Sequence, residues 1–223
     1  MADEKNPWLS IPLADYEAHM SSAAVGQLQA LSDLFAAALA FTNPESVAIL
    51  GIAGGNGLER LHVNRVRRVV GIDINNSFLD ETRKRFSHLS GLELHCANLA
   101  DELPAIAPVD LVHAALVFEH AGLAGPLQNA ARLVAAGGAL SVVLQLPSTS
   151  AAAVGLSGVT SVENAASHFQ FIDPGALRSG VESRGFTLMH QTTLPVPAGK
   201  AFWHAIFTST QGSAPIETAA TSD

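Results

Sequence analysis

The densest chemistry in the sequence lies in residues 47–61, VAILGIAGGNGLERL. An apolar run passes into glycines at 51, 54, 55 and 57 and opens directly into a helix-forming segment at Leu58. Glycine is required where a backbone takes positive φ, or where a ligand comes within van der Waals reach of the main chain. Asp73 closes the next apolar run, 22 positions beyond Gly51. A carboxylate there is placed to accept hydrogen bonds from both hydroxyls of a ribose. Together these residues indicate a ligand that carries a nucleoside. The glycine spacing fits the dinucleotide pattern G-x-G-x-x-G poorly, and no lysine follows the glycines as a phosphate loop requires. The only tyrosine is Tyr16, so the Tyr/Lys pair of short-chain dehydrogenases is missing as well.

Proton transfer would fall to histidine, the side chain titrating nearest neutrality. His19, in DYEAHM, precedes the first long helical segment, and His120 follows the fourth apolar run. His113 lies inside that run and reads as a core histidine. His168, His190 and His204 have no partners at ligand spacing, and no H-x-x-H, H-E-x-x-H or carboxylate cluster is present, so no metal site is expected. Tyr16 is a candidate to lie over a bound ligand.

The elements that must hold these residues follow from periodicity. Residues 25–41 place Leu28, Leu31, Leu34, Phe35 and Leu39 at helical spacing, with Pro44 just beyond the end. Strands are expected at 46–51, 68–74, 92–96, 110–117 and 139–146. Helices are expected from Leu58 onward, at 77–88 and at 126–136, the last ending on Gly137-Gly138 as a cap. Near-continuously apolar strands alternating with helices mark a parallel sheet covered on both faces. Asp173-Pro174 starts a further helix running to about Arg184. Strands at 186–195 and 200–209 follow, joined by so few residues that they must be antiparallel. The fold class is therefore α/β, doubly wound, with an antiparallel hairpin at one edge. Residues 1–8 and the tail from 211 onward read as frayed, and the small-residued stretch 147–167 as a flexible loop able to gate a site.

The chain has 223 residues, 48% hydrophobic and 14% charged, with a formal charge of −8. That balance argues against a nucleic-acid partner, which needs clustered Lys and Arg. The basic stretches 62–70 and 83–85 are expected to solvate helix faces. Thirty residues between Arg132 and Glu163 carry no charge, but glycines, Pro147 and many serines break them, so no membrane span is expected. Cys96 is the lone cysteine, which excludes an internal disulfide, and the opening MADEKNPWLS has no secretory h-region. A cytoplasmic location is the expectation.

From about residue 25 to residue 209 the sequence resembles class I S-adenosylmethionine-dependent methyltransferases. The family's G-x-G-x-G turn falls on Gly51, Ala53 and Gly55, its ribose acid on Asp73, and its adenine-packing position on Ile74. Asn98 or Leu99, in HCANLADELP, stands at the adenine amino group, while DLVHAALVFEH (110–120) and GVESRGF (180–186) resemble the family's fourth strand and its lead into the sixth. Ile49, Ala53 and Asn98 depart from the usual residues; the first leaves the cofactor ammonium to backbone carbonyls near Gly51 and Ala114. IPLADYEAHM, VGQLQAL and LGIAGGNGLE are similar to a bacterial group of unassigned substrate.

The resemblance implies a Rossmann-like sheet of order 3-2-1-4-5-7-6, with S-adenosylmethionine as cofactor and S-adenosylhomocysteine as product. It also implies a cofactor site of Gly51, Ala53, Gly54, Gly55, Asp73, Ile74, Asn98, Leu99 and Tyr16, with His120 or His19 as base. Residues 1–22 would form a lid segment, 23–210 a single cofactor-binding domain, and 211–223 a disordered tail. The expected partner is a small-molecule acceptor, and the protein would act as a monomer or homodimer. Two alternatives stand beside methyl transfer. One is a non-catalytic protein that binds the same cofactor; the other, a nicotinamide-dependent oxidoreductase, lacks its Tyr/Lys pair.

Overall fold

The strand-forming runs are rich in Val, Ile, Leu and Ala, which fill a pleated surface buried on both sides. The computed structural model describes residues 6–210 except 24, 62–64, 102, 150, 151 and 156. The strands are β1 (Ser46–Leu50), β2 (Arg68–Asp73), β3 (Leu92–Cys96), β4 (Val109–Ala115), β5 (Val134–Gln145), β6 (Phe186–Val196) and β7 (Lys200–Ser209). They form one seven-stranded sheet of order β3-β2-β1-β4-β5-β7-β6. β1 to β5 run parallel, and β7 is antiparallel to both its neighbours. This is the expected order.

Helices cover both faces. α2 (Leu28–Thr42) and α3 (Asn76–Arg85) press Phe35, Ala38, Leu39 and Leu79 onto one. α4 (Phe118–Ala121), α5 (Ala124–Leu133) and α7 (Pro174–Glu182) press Phe118, Leu127, Leu133, Leu177 and Val181 onto the other. Each buried Leu or Phe contributes about 1.5–3 kcal/mol relative to exposure. α2 stops at Asn43, which turns left-handed at φ 49 and returns its N–H to the Leu39 carbonyl. Asp173 caps α7 as the sequence indicates, its carboxylate accepting from the Ala176 N–H at 2.8 Å.

Several expectations change. The helix before Gly137-Gly138 ends at Leu133, and β5 begins at once. Gly137 takes φ 72, and a Cβ on Gly138 would stand 2.9 Å from the Asp110 carbonyl oxygen. The pair therefore serves a close approach of strands where β4 and β5 shift register, and is not a helix cap. The helix expected from Leu58 is a single 3-10 turn, Leu58–Arg60. The loop expected to run to Ser167 instead folds at its end into α6 (Thr160–Glu163) and a 3-10 turn, Asn164–His168.

Pro7–Leu9 also form a 3-10 turn that half-buries Trp8, so the frayed segment does not extend to residue 8. In the basic stretch, Arg65 donates to the Asn43 carbonyl and Arg68 pairs with Glu93, so these arginines tie loop and strand and do not coat a helix. Residues 62–64 of that stretch, residues 1–5 and the tail 211–223 lie outside the described residues. Among the described residues no helix is long and apolar enough to cross a membrane.

Candidate functional site

A cavity of about 170 Å³ opens where β1, β2, β3 and β4 end, between Gly51, Asp73, Ala97 and Ala115. Ligands of open α/β sheets bind outside these carboxyl ends. Asp73, the last residue of β2, is only 8% exposed. Its Oδ2 accepts the Ala53 N–H and its Oδ1 the Asn75 N–H, both at 2.9 Å. Burial pushes its carboxyl above the ordinary range, while the N–H groups of Asn75, Ala53 and Ile74 pull the other way. A carboxylate can accept about four hydrogen bonds, so Asp73, which lines the cavity, retains acceptor capacity beyond these N–H groups.

Ala53 stands where the resembling family has glycine, and it pays in conformation. Its φ is 47, which strains an L residue by about 1–2 kcal/mol. The strain is held from both sides: Asp73 takes its N–H, and Thr82 Oγ1 donates to its carbonyl at 2.7 Å. Leu116, at φ 53, is a second strained residue on the same wall. Strained backbone of this kind clusters at ligand sites. Gly51, at φ 68, is also on the wall. Gly54 and Gly55, also expected at the site, are not among the residues that line it. A Cβ on either would meet protein, 2.6 Å from Glu17 Oε1 at Gly54 and 2.6 Å from Phe86 Cε2 at Gly55. Their small size admits neighbouring side chains.

Ile74, Asn98 and Leu99 line the cavity beside Asp73. The Asn98 side-chain oxygen accepts the Ala100 N–H at 3.1 Å. Opposite stands an aromatic group. Tyr16 lies 5.9 Å from Phe78 and 6.1 Å from Trp8, and Trp8 meets the His120 ring edge-on at 4.7 Å. Phe169 holds the other side of His120 at 5.3 Å. Among the described residues, Trp8 Nε1 and His120 Nδ1 are buried without a hydrogen-bond partner. Desolvation first, then His168, lowers His120 to about 4, so its imidazole is neutral at pH 7. Burial, the Asp73 charge and Glu17 hold the Tyr16 phenol well above its usual value.

The far end of the cavity lies over β5 and β7. His19 is 5% exposed, its Nδ1 2.7 Å from Ser157 Oγ, and burial together with Lys200 lowers its pKa. Gln27 Nε2 donates to Gln145 Oε1 at 3.1 Å, and Gln145 Nε2 donates to the Ala153 carbonyl at 2.7 Å. Lys200 Nζ donates to that same carbonyl at 2.9 Å. Behind this wall Glu119 is fully buried. Its Oε1 accepts the Gln145 N–H at 2.8 Å, its Oε2 has no partner among the described residues, and burial pushes its carboxyl up to about 7.

The structure thus gathers Gly51, Ala53, Asp73, Ile74, Asn98, Leu99, Tyr16, His19 and His120 around one cavity. Sequence reasoning passed over Gln27, Gln145, Lys200 and Glu119. A signal existed for Lys200, the sole Asp, Glu, Lys or Arg between Arg184 and Glu217.

A roof covers the cavity. α1 (Leu13–Ser21) and α6 join through Ser161 Oγ, which donates to Asp15 at 2.6 Å. Ile11, Leu13, Val162 and Ala165 pack with Ala53 and Phe78 beneath. Glu17 on α1 pairs with Arg85 on α3 across Gly54. Among the described residues no group of His, Cys, Asp and Glu could hold a metal ion.

Residues 50–140 match a family model described as a methyltransferase domain. Several solved structures share the fold. One is the N-methyltransferase NodS from Bradyrhizobium japonicum WM9 in complex with S-adenosyl-L-homocysteine. It is 14% identical, with a TM-score of 0.65 over 93% of this chain and 100% of that one. Another is magnesium protoporphyrin IX methyltransferase (ChlM) from Synechocystis PCC 6803 with bound S-adenosylhomocysteine, at 13% identity and TM-score 0.68 over 91% and 95%. The [4+2]-cyclase SpnF is similar at 10% identity and TM-score 0.63 over 82% of each chain. No curated protein sequence matches the chain. The chain has the Rossmann-like fold of these methyltransferases, and its residues 50–140 match the methyltransferase-domain model.

Proposed function

We propose that this protein transfers the methyl group of S-adenosylmethionine to a small-molecule acceptor by in-line displacement, releasing S-adenosylhomocysteine. The observation that carries the reading is Asp73, buried at the end of β2, bonded to the strained turn through the Ala53 N–H, and lining the cavity. The orphaned Trp8 Nε1 and His120 Nδ1 also fit a wall completed by a polar ligand.

When bound, the cofactor supplies a methyl group activated by its sulfonium. The chain's own residues do the rest. Asp73 accepts the ribose hydroxyls, Ile74 and Leu99 give the base an apolar slot, and Asn98 offers its amide oxygen. The backbone at Gly51, on the cavity wall, receives the ammonium; Ala114, expected to share in this, is fully buried and off the wall. Tyr16 and the roof exclude water, and positioning of this kind supplies several of the roughly 7–11 kcal/mol that proximity makes available. His19 or His120, both neutral at pH 7, takes a proton where the acceptor carries one. The acidic balance of the chain favours a small acceptor over nucleic acid. We place the reaction in the cytoplasm, with the protein acting as a monomer or homodimer.

Calorimetric titration with S-adenosylhomocysteine, with NAD as control, tests the reading. Micromolar binding of the first and none of the second is expected. Asp73→Asn should weaken that binding by about 1.5–3 kcal/mol, and unchanged affinity would remove Asp73 from the ribose site. A non-catalytic binding protein is the second reading, favoured by the depressed basicity of His120. Tight S-adenosylhomocysteine binding without turnover on a broad acceptor pool would establish it.

A further inference from the structure

Lys200 is the first residue of β7, 4% exposed, and it lines the cavity. Among the described residues no carboxylate lies within ion-pairing distance of its ammonium. Its hydrogen bond goes to a backbone carbonyl, that of Ala153. An ammonium has three donors, so among the described residues two have no partner. The polar side chains around it cannot supply the missing charge. Gln145 is bonded through both amide atoms, to Ala153 and Gln27. His19 is neutral at pH 7. Glu163 turns Oε1 to the N–H groups of Ser157 and Gly158, Glu119 faces the Gln145 backbone behind the wall, and neither carboxylate forms an ion pair with Lys200. A buried, uncompensated cation beside a cavity calls for an anion brought by a ligand.

Place decides which ligand. Lys200 pairs with Val196, and its end of β7 adjoins the carboxyl end of β5. In the order β2-β1-β4-β5-β7 it stands four strands from Asp73. At about 4.8 Å per strand that is roughly 19 Å, and β1 is roughly 14 Å away. The nucleoside end and the Lys200 end are thus opposite ends of the cavity, with the acceptor side at Lys200.

We propose that Lys200 binds a carboxylate of the acceptor, so that the substrate class is a small carboxylic acid. A single cation among neutral amides matches a monoanion better than a phosphate dianion, which needs further donors. This inference rests on the methyl-transfer reading for the word acceptor, and on the cavity alone for the carboxylate.

The test uses the scarcity of lysine, since the chain has only Lys5, Lys84 and Lys200. Protein carrying carbon-13 at the lysine ε position gives three resonances, and Lys200→Met identifies one of them. In protein saturated with S-adenosylhomocysteine, benzoate is expected to move the Lys200 signal saturably and leave Lys84 still, whereas benzamide moves neither. Lys200→Met should weaken benzoate binding at least tenfold and leave S-adenosylhomocysteine affinity within twofold, while Lys200→Arg retains benzoate binding. A Lys200 signal unmoved by benzoate would overturn the proposal. So would a tenfold loss of S-adenosylhomocysteine affinity in Lys200→Met with 5′-methylthioadenosine binding unchanged, because Lys200 would then hold the cofactor's own carboxylate. If S-adenosylhomocysteine does not bind the wild type, the methyl-transfer reading fails by itself. The benzoate titration of the unloaded protein then decides the carboxylate site alone, a saturable Lys200 shift supporting it and no shift overturning it.

Discussion

Glu119 shows what one misplaced proton does to this molecule. Its carboxyl is fully buried with one oxygen unpartnered, and its pKa rises from 4.5 to about 7. A folded-state pKa above the unfolded one means that the native state binds more protons between these values, so stability falls as pH rises through that window. Glu119→Gln keeps an acceptor for the Gln145 N–H and cannot ionise. The variant is expected to match the wild type near pH 5 and to exceed it by on the order of 2–3 kcal/mol at pH 8. Urea midpoints at the two pH values measure the gap, and a gap that does not widen would show that Glu119 stays charged at no cost. Asp73 is the contrast. It is also buried, yet the N–H groups of Asn75, Ala53 and Ile74 hold its oxygens, and it lines the cavity. Asp73 was legible in the sequence because it ends a strand at a set distance from a glycine turn. Glu119 was not, because no pattern of neighbours announces burial of a lone acid on a four-residue helix.

At the scale of elements, β4, β5 and β7 are tied by a polar chain inside an apolar sheet. His113 Nδ1 lies 3.0 Å from Ser141 Oγ, which lies 2.9 Å from His204 Nε2. All three are buried, and burial lowers the imidazoles to about 3 and about 4. Depressed histidines make the unfolded state the better proton acceptor, so the stability they secure is complete above pH 6.5 and declines as pH falls towards those values. Ser141→Ala removes the shared hydroxyl and strands two ring nitrogens. It should lower stability by about 1–3 kcal/mol with the urea slope unchanged; a neutral result would mean that the rings find other partners. The strands themselves were readable, and β3 and β7 begin and end where their apolar runs do. Gly137-Gly138 was misread because glycine answers two needs, a left-handed helix end and a close passage of neighbouring strands, and only the Asp110 carbonyl opposite Gly138 separates them.

For the whole molecule, the sheet order and the nucleoside end of the cavity were legible, because strand ends and glycine turns are local. The acceptor end was not, since Gln27, Gln145 and Lys200 come from three distant parts of the chain and meet only after folding. The roof is long-range in the same way. Arg85→Ala, which releases Glu17, should change global stability by less than about 1 kcal/mol, because the pair is exposed. The amides of α1 should nonetheless exchange with solvent faster than those of α2, and equal protection would show that the apolar underside of α1 suffices. The roof bonds Ser161–Asp15 and Ser157–His19 bridge 146 and 138 positions of sequence. At about 5–20 residues per second, a ribosome completes the second half of the roof roughly 7–30 s after the first. For that interval the nascent chain lacks Val162 and Ala165 beside Trp8 and Tyr16, and Val196 and Phe202 beside Met20, so the amino-terminal helix can complete its packing only once the last third of the chain has been made.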